Sequence, residues 1–357
     1  MNNLRQLIKK KTPVWFMRQA GRYLPEYRHI RKKEKNFIDL CFNSSLAAEI
    51  SLQPIKRFNF DFIILFSDIL VIPHALGQKV EFKESIGPIL NKIKAANEFS
   101  LVDLQECLEK LEPIMGTIKI LKKEKKNKQL IGFCGGPFTV LTYMFEGGTS
   151  KNHNLIRKKI EQERDDFKKL INLVTDFSIM YLIKQIRSGV DIIKVFESWA
   201  GLLDKEDYNE FVIEPNERIK TAIKTSFPKI PIIFFPRQSS RNIYSFMKRV
   251  KPDVLSLDKE VSAEVLKVAK KNEIILQGNL DPLILINGGK ELEDEVKKIM
   301  LQFSKNDHIF NLSHGIMPIT PLDNVQKTLD TIKLLLIFMK YTHFLTKRLK
   351  RNMAKKL

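Results

Sequence analysis

Short apolar runs rich in β-branched and aromatic residues alternate with longer amphipathic stretches along most of the chain. Most of these runs are continuously apolar rather than alternating, which is typical of parallel β-strands buried on both faces. Eight of them are predicted as strands. They cover residues 13–17, 60–66, 130–134, 190–196, 231–235, 254–257, 274–277 and 308–312.

The stretches between these runs have the apolar spacing of helices that cover a sheet. Predicted helices span 47–58, 101–122, 156–187, 205–224, 263–271, 292–303 and 324–340. Strand alternating with helix over 357 residues predicts an α/β protein, a (β/α)8 TIM barrel in a single domain. A doubly wound open sheet is the alternative, but no GxGxxG motif follows the first run. The barrel is expected at 1–340, with a basic C-terminal tail at 341–357.

Composition narrows the class of protein. The chain is 43% hydrophobic, yet it has no apolar run near the roughly 20 residues that a membrane helix needs. Its first residues, MNNLRQLIKKK, lack the apolar segment of a secretory signal. Cys41, Cys107 and Cys134 form no CxxC pair, which favours a reducing compartment over a structural zinc site. We therefore expect a cytoplasmic protein.

The net charge of +20 is consistent with a polyanionic partner, although a lysine-rich composition without such a partner would look the same. No interleaving of aromatic and basic residues indicates a platform for stacked bases, so nucleic acid is not expected. The basic residues at 347–357 could contact an anionic membrane surface, but this is the less favoured interpretation.

Polar or glycine residues follow every predicted strand, at the ends where barrel active sites form. In chain order they are Arg18 and Arg22, Ser67 and Asp68, Gly135 and Gly136, Glu197 and Ser198, Arg237 and Gln238, Asp258, Gly278 with Asn279 and Asp281, and Ser313 with His314 and Gly315. Strands must end in something polar, so part of this pattern is trivial. The recurrence at all eight positions favours a polar site at one end of a barrel.

Arg18 and Arg22 are spaced so that one helical turn or a compact loop places both guanidinium groups on one side. Each guanidinium can bind a carboxylate or phosphate through two parallel hydrogen bonds. A solvated basic face is the alternative interpretation. Neighbouring Trp15, Phe16 and Tyr23 are too apolar for such a face. The pattern therefore favours an anion clamp.

Asp68 lies between two apolar runs, where an unpartnered carboxylate is costly to bury. It could be a helix cap or an ion-pair partner, or a cavity carboxylate that binds N–H groups or balances positive charge. His314, Tyr143 and Ser198 are candidate ligand-binding side chains, and each could equally be satisfied within the fold. The histidines form no HxH or HExxH motif, so a catalytic metal is not predicted.

Six ordered motifs across residues 3–335 resemble those of the uroporphyrinogen decarboxylase family. They are PVWFMRQAGRYLPEYR at 13–28, ILFSDILVIPHALG at 64–77, IGFCGGPFTVLTYMFEGG at 131–148, FESWAG at 196–201, LQGNLDP at 276–282 and NLSHGI at 311–316. Lys259 and the FFPRQSS stretch at 234–240 depart from the usual pattern, and residues beyond about 340 lie outside the resemblance.

The resemblance implies a barrel without cofactor or metal, usually a homodimer, that converts uroporphyrinogen III to coproporphyrinogen III. By the same resemblance, Arg18, Arg22 and Arg31 correspond to the binders of substrate carboxylates, and Asp68 to the central carboxylate. The remaining site positions match Tyr143, Ser198 and His314.

The chemistry is consistent with these residue types, because the substrate carries eight carboxylates and its decarboxylation passes through a cationic pyrrole ring. Asp68 could gather the pyrrole N–H groups and stabilise that cation. The source of the ring proton stays open between Arg22, Tyr143, His314 and water. Two other functions remain as alternatives: a corrinoid-linked methyltransferase of the same barrel type, disfavoured because no second cysteine lies near the last strand, and a non-catalytic basic binding protein.

Overall fold

In a computed structural model, which describes residues 1–34, 36–83 and 86–354, the chain is built around a parallel sheet of seven strands. The strands of this sheet are β1 (Phe62–Ile64), β4 (Gln129–Gly135), β5 (Ile192–Glu197), β6 (Ile232–Pro236), β7 (Val254–Ser256), β8 (Ile275–Leu280) and β9 (His308–Leu312). A separate antiparallel hairpin, which the sequence patterns did not predict, consists of β2 (Val80–Lys83) and β3 (Gly87–Leu90).

Neighbouring strands of the sheet follow one another in chain order from β1 through β4 to β9. Every pairing between them is parallel, as expected for strands joined by helical crossovers. A doubly wound sheet would reverse its strand order at a switch point, and this sheet has no reversal. The α/β class with a curled parallel sheet is therefore confirmed, and the doubly wound alternative was wrong.

The first predicted strand, 13–17, is not a strand but a segment with a single bridge, from Val14 to Phe310 in β9. Three of its backbone N–H groups bond to side chains instead of a neighbouring strand, which interrupts a regular ladder. The Val14 N–H donates to Asp61 Oδ2 (2.8 Å), and the Met17 N–H donates to Asn311 Oδ1 (2.9 Å). Val14 O also accepts from the Asp61 N–H (3.0 Å), so the segment contacts both ends of the sheet.

Helices connect the strands and pack against the sheet. They are α1 (Asn2–Lys10), α2 (Pro25–Lys33), α3 (Phe37–Phe42), α4 (Ser44–Phe58), α5 (Val71–Ala75), α6 (Leu104–Glu109), α7 (Glu112–Glu124), α8 (Pro137–Glu146), α9 (Asn154–Gln162), α10 (Arg164–Ser188), α11 (Lys205–Tyr208), α12 (Glu214–Ser226), α13 (Ile243–Val250), α14 (Ala263–Lys271), α15 (Pro282–Asn287), α16 (Gly289–Gln302) and α17 (Leu322–Ala354).

Two predicted helices are divided in the structure, and a third, 205–224, is continuous but contains a π-helical turn. The 101–122 stretch breaks between α6 and α7, just before Pro113, and the 156–187 stretch breaks at Glu163. Between α11 and α12 the chain forms a π-helical turn, Asn209–Ile213, ahead of Pro215. Proline is favoured in the first turn of a helix, so the break before Pro113 is a local consequence of its position.

The last helix, α17, continues without a break across residue 340, where the sequence predicts a basic tail to begin. The proposed boundary between barrel and tail stays a prediction, and residues 355–357 lie outside the described residues. No helix in the described ranges is both long enough and apolar enough to cross a membrane.

A row of polar side chains lies inside the curled sheet. Trp15 Nε1 donates to Gln277 Oε1 (3.1 Å), and Gln277 Nε2 donates to Ser256 Oγ (2.6 Å). Lys194 Nζ lies 2.8 Å from the same Ser256 oxygen and is fully buried. Burial alone holds the pKa of Lys194 well below its usual range.

Candidate active site

A cavity of about 250 Å³ opens at the carboxyl ends of the strands, where parallel barrels place their active sites. Its walls are largely apolar, with aromatic side chains from several strands and from α3: Phe37, Phe66, Phe133, Phe196 and Phe235. Its polar lining residues are Arg18, Arg22, Ser67, Asp68, Ser198, Arg237 and His314. The predicted residues Arg18, Arg22, Asp68, Ser198 and His314 are thus brought together in one place.

Arg18 occupies a turn whose neighbours are fixed on both sides. Met17 is hydrogen-bonded to Asn311 as described above, and Gln19 Nε2 donates to the backbone oxygen of Phe62 (2.8 Å). Arg18 itself has a φ of 62°, in the left-handed region that few residues other than glycine adopt. Backbone strain of this kind persists only where the surroundings hold it, so the turn presents the guanidinium in a fixed direction.

Arg22 lies on the exposed side of the same turn and also lines the cavity. The turn leads into α2, and Arg28 of that helix bonds back to the turn. Arg28 Nη1 donates to the backbone oxygens of Arg22 (2.9 Å) and Tyr23 (3.0 Å). Arg28 therefore stabilises the turn, whereas the side chain of Arg22 lines the cavity.

The cavity carries an excess of positive charge. In the part of the chain that the structure describes, Arg18, Arg22 and Arg237 form no ion pair. Asp68 is the single acidic side chain among the described lining residues. Three guanidinium groups against one carboxylate leave two unbalanced positive charges, which suits a ligand with several negative groups.

Asp68 follows β1, enclosed by protein on most sides and open to the cavity. Its Oδ1 accepts a hydrogen bond from the Leu70 N–H (2.9 Å). Burial raises the pKa of Asp68 to about 6, although the Leu70 N–H and the positive charge of Arg18 favour the ionised form. The carboxylate is therefore ionised at pH 7. Because burial disfavours this charge, a neighbouring cation would stabilise it.

His314 follows β9 and is half-buried in the cavity wall. Burial, together with the charges of Arg18 and Arg237, lowers the pKa of His314 to about 4. The imidazole is therefore neutral at pH 7 and can exchange hydrogen bonds with a ligand without adding charge. Ser198, which follows β5, is half-buried in the same wall.

Tyr143 and Arg31 do not line the cavity. Tyr143 lies on α8 with its ring 6.1 Å from that of Trp199. Burial raises the pKa of Tyr143, and the charges of Asp68 and Arg18 act on it, so the phenol is close to the site. Arg31 lies near the end of α2, where its Nη1 donates to the backbone oxygen of Glu34. Roles for these two residues remain predictions.

Arg237 lines the cavity although the sequence motifs predict no site role for it. It follows β6, directly after Phe235 and Pro236. Its half-buried side chain lines the same cavity as His314, whose pKa its charge helps to lower. Its position directly after a strand, like those of Arg18 and Asp68, is the sequence feature that indicates a place in the site.

Glu197 has a structural role although it lies in one of the motifs. Its carboxylate accepts hydrogen bonds from the backbone N–H groups of Phe138 (3.2 Å) and Thr139 (3.1 Å), at the start of α8. A Cβ atom on Gly136 would lie 2.1 Å from Glu197 Cδ, so glycine is needed for this approach. Burial raises the pKa of Glu197 to about 7.

Metal binding was not predicted, and it remains untested. In the described ranges, His, Cys, Asp and Glu side chains form no group of three or more that could hold a metal ion.

Comparison with known proteins places the whole site within one family. Residues 3–335 match the family model described as Uroporphyrinogen decarboxylase (URO-D). The uroporphyrinogen decarboxylase of Rickettsia bellii is 44% identical over 327 residues, which cover 91% of this chain and 96% of that protein. The protein of the same name from Rickettsia africae is 44% identical over 325 residues, covering 91% and 93%.

Among solved structures, a methyltransferase from Methanosarcina mazei matches 93% of this chain and 98% of its own, with a TM-score of 0.77. At 18% sequence identity, this likeness concerns the fold alone. The match to the family model covers most of the chain and includes every strand of the parallel sheet and every residue named as lining the cavity. The chain belongs to the uroporphyrinogen decarboxylase family.

Proposed function

We propose that this protein removes the four acetate carboxyl groups of uroporphyrinogen III as CO₂ and releases coproporphyrinogen III. One observation carries the proposal: among the described residues, one carboxylate, Asp68, lines an apolar cavity with three guanidinium groups that form no ion pair. The family membership and the names of the Rickettsia relatives support it.

The cavity lining matches both the apolar rings and the charged rim of such a substrate. Aromatic side chains such as Phe66 and Phe196 suit the pyrrole rings, while Arg18 and Arg22 suit the carboxylates at the rim of the macrocycle. Arg31 is proposed to act on the carboxylates from α2 once substrate is bound. The net positive charge of +20 would draw the polyanionic substrate toward the protein.

Asp68 is proposed to act on the macrocycle itself. Its two oxygens can accept hydrogen bonds from several pyrrole N–H groups. A proton added to a pyrrole carbon makes the ring cationic, and the electrons of the breaking C–C bond then neutralise the ring as CO₂ departs. A second proton adds to the remaining methylene carbon as the ring proton leaves. Burial raises the pKa of Asp68 to about 6, and its buried carboxylate stabilises this cation more than it stabilises the neutral ring.

His314, Tyr143 and Ser198 are proposed to orient the substrate by hydrogen bonds. His314 is neutral at pH 7, so it is not a source of an imidazolium proton. The raised pKa of Tyr143 keeps its phenol protonated, as a hydrogen-bond donor. The immediate source of the ring proton therefore stays open between Arg22, these neutral donors and water.

Several finer expectations belong to the same proposal. Residues 13–15 bond to both ends of the curled sheet. This supports a closed barrel in which the segment takes the place of an eighth strand between β9 and β1. The buried free thiols of Cys41, Cys107 and Cys134 support a reducing, cytoplasmic location. The homodimer that the family resemblance implies, and the absence of a nucleic-acid partner, remain proposals.

The test is anaerobic incubation of the purified, chelator-treated protein with uroporphyrinogen III, followed by oxidation and chromatography of the porphyrins. Products with seven, six, five and then four carboxylates should appear in order. A folded protein that forms none of them would disprove the proposed activity. Activity lost with the chelator and restored by a metal would disprove the metal-free mechanism.

A further inference from the structure

Arg237 lies across the cavity from the turn that carries Arg18 and Arg22. It follows β6, the middle strand of the seven-stranded sheet. The Arg18 turn follows residues 13–15, which bond to β9 and to Asp61, directly before β1. Residues 13–15 thus lie between the two end strands of the curled sheet, opposite its middle strand. Side chains from both sides line one cavity.

The backbone of Arg237 is fixed in both directions. Its N–H donates to the Glu197 backbone oxygen (3.0 Å), and its own oxygen accepts from the Gly201 N–H (3.1 Å). The following residue, Gln238, has a φ of 58° and donates its N–H to Asp258 Oδ2 (2.7 Å). The side chain of Arg237 therefore leaves a rigid support, and ordering it on a ligand costs little beyond its own rotamers.

The guanidinium of Arg237 has no carboxylate partner among the residues that the structure describes. Asp258 is the acidic group on which its charge acts, yet that carboxylate bonds to the Gln238 backbone and forms no ion pair with Arg237. The half-buried guanidinium is therefore free to bind an anionic group of a ligand in the cavity.

We propose that Arg237 binds one carboxylate of the substrate, so that the cavity grips its polyanionic ligand from two opposite sides. This inference rests on the proposed function and adds a binding residue to it. The substrate carries carboxylates around its whole rim, so a cation on the far wall meets a carboxylate that Arg18 and Arg22 do not contact. The group is assigned to binding rather than to bond breaking, because a guanidinium holds a carboxylate through two parallel hydrogen bonds and is a poor proton donor.

The test compares steady-state kinetics on uroporphyrinogen III for the wild type, Arg237→Gln and Arg237→Lys. Loss of a charge-assisted hydrogen bond should raise KM about tenfold or more in Arg237→Gln, with kcat changed much less. Arg237→Lys keeps the charge and loses the paired guanidinium donors, so its KM should lie between those of the wild type and Arg237→Gln. Arg241→Gln is the matched control, because Arg241 is exposed nearby and does not line the cavity; its KM should match the wild type.

A second readout does not depend on turnover. NMR titration of His314 in Arg237→Gln should give a higher pKa than in the wild type, since a neighbouring positive charge is removed. An unchanged KM in a folded Arg237→Gln enzyme that still turns over would overturn the Arg237 subsite and leave the proposed function intact. If Arg237→Gln does not fold, a wild-type KM in Arg237→Lys would overturn the subsite instead. A wild type without turnover would overturn the function and the subsite together.

Discussion

The side chain of Arg18 lies directly against the backbone of Gly315. A Cβ atom built on Gly315 would be 2.4 Å from Arg18 Cδ and 3.0 Å from its Nε. Gly315 follows His314 at the end of β9, so the SHG sequence places an imidazole in the cavity wall and leaves room for a guanidinium beside it. The close approach links two motifs that are almost 300 residues apart.

The first prediction concerns Gly315→Ala. The φ of Gly315 is not positive, so alanine can adopt its backbone conformation, but its methyl group would displace the Arg18 side chain. We expect the KM for uroporphyrinogen III to rise about tenfold or more, through the misplaced guanidinium. Steady-state kinetics would measure this.

The double variant Arg18→Ala, Gly315→Ala is the control for that prediction. If Gly315 acts through Arg18, the second substitution should add little once Arg18 has been removed. Fully additive losses would show that Gly315 serves the site by another route.

The second prediction concerns the stability of Asp68→Asn. The folded protein holds the pKa of Asp68 at about 6, against 3.8 for an ordinary aspartate. Between these values the folded state binds more protons than the unfolded state, so wild-type stability falls as pH rises from about 4 to 6. Asparagine escapes this loss and can still accept the Leu70 hydrogen bond. We expect the variant to be more stable at pH 7 by about 1–3 kcal/mol.

Urea unfolding of both proteins at pH 7 and at about pH 4 would measure that difference. The gain in free energy of unfolding should shrink toward zero at the lower pH. A variant that is less stable than the wild type at pH 7 would contradict the burial of Asp68 as the cause of its raised pKa.

The third prediction concerns the protonation of His314. Its pKa of about 4 means that the unfolded state binds the proton first as pH falls below about 6.5. This group therefore lowers the stability of the folded protein as pH drops from about 6.5 to 4. NMR titration, assigned with His314→Gln, should find the imidazole neutral down to about pH 5. A midpoint near 6.5 would return the imidazolium to the list of proton donors.

The fourth prediction concerns Lys194, whose Nζ lies 4.9–5.3 Å from the ring centres of Trp15, Phe196 and Phe235. Lys194→Met fills a similar space without a buried amine, so we expect stability at pH 7 to rise by about 1–3 kcal/mol. The gain should fall as pH approaches 10, because the unfolded lysine then loses its proton too. Denaturation across this range would test it, with exposed Lys205→Met as control; a gain independent of pH would contradict the lowered pKa.

The apolar runs were sufficient to locate most of the parallel strands, because a strand buried on both faces must be continuously apolar. They were insufficient for residues 13–17, where the backbone bonds to Asp61 and Asn311 side chains that no local pattern reveals. The β2–β3 hairpin was missed because its short strands are only partly buried.

The site was predictable where it depends on strand ends. Arg18, Asp68 and His314 converge because parallel strands deliver their following residues to the same edge. Arg237 shares that position, but whether its guanidinium is paired can be judged only from the surrounding carboxylates. Likewise, the sequence motif alone does not distinguish Glu197, which caps α8, from a catalytic carboxylate.

The most direct test is the single-turnover rate of the first decarboxylation of uroporphyrinogen III by Asp68→Asn, beside the wild type and the exposed-site control Asp39→Asn. If Asp68 stabilises the cationic ring, its variant should be slower by about 10²-fold or more, while the control matches the wild type. A folded Asp68→Asn protein within about threefold of the wild-type rate would contradict the role of this carboxylate in the reaction.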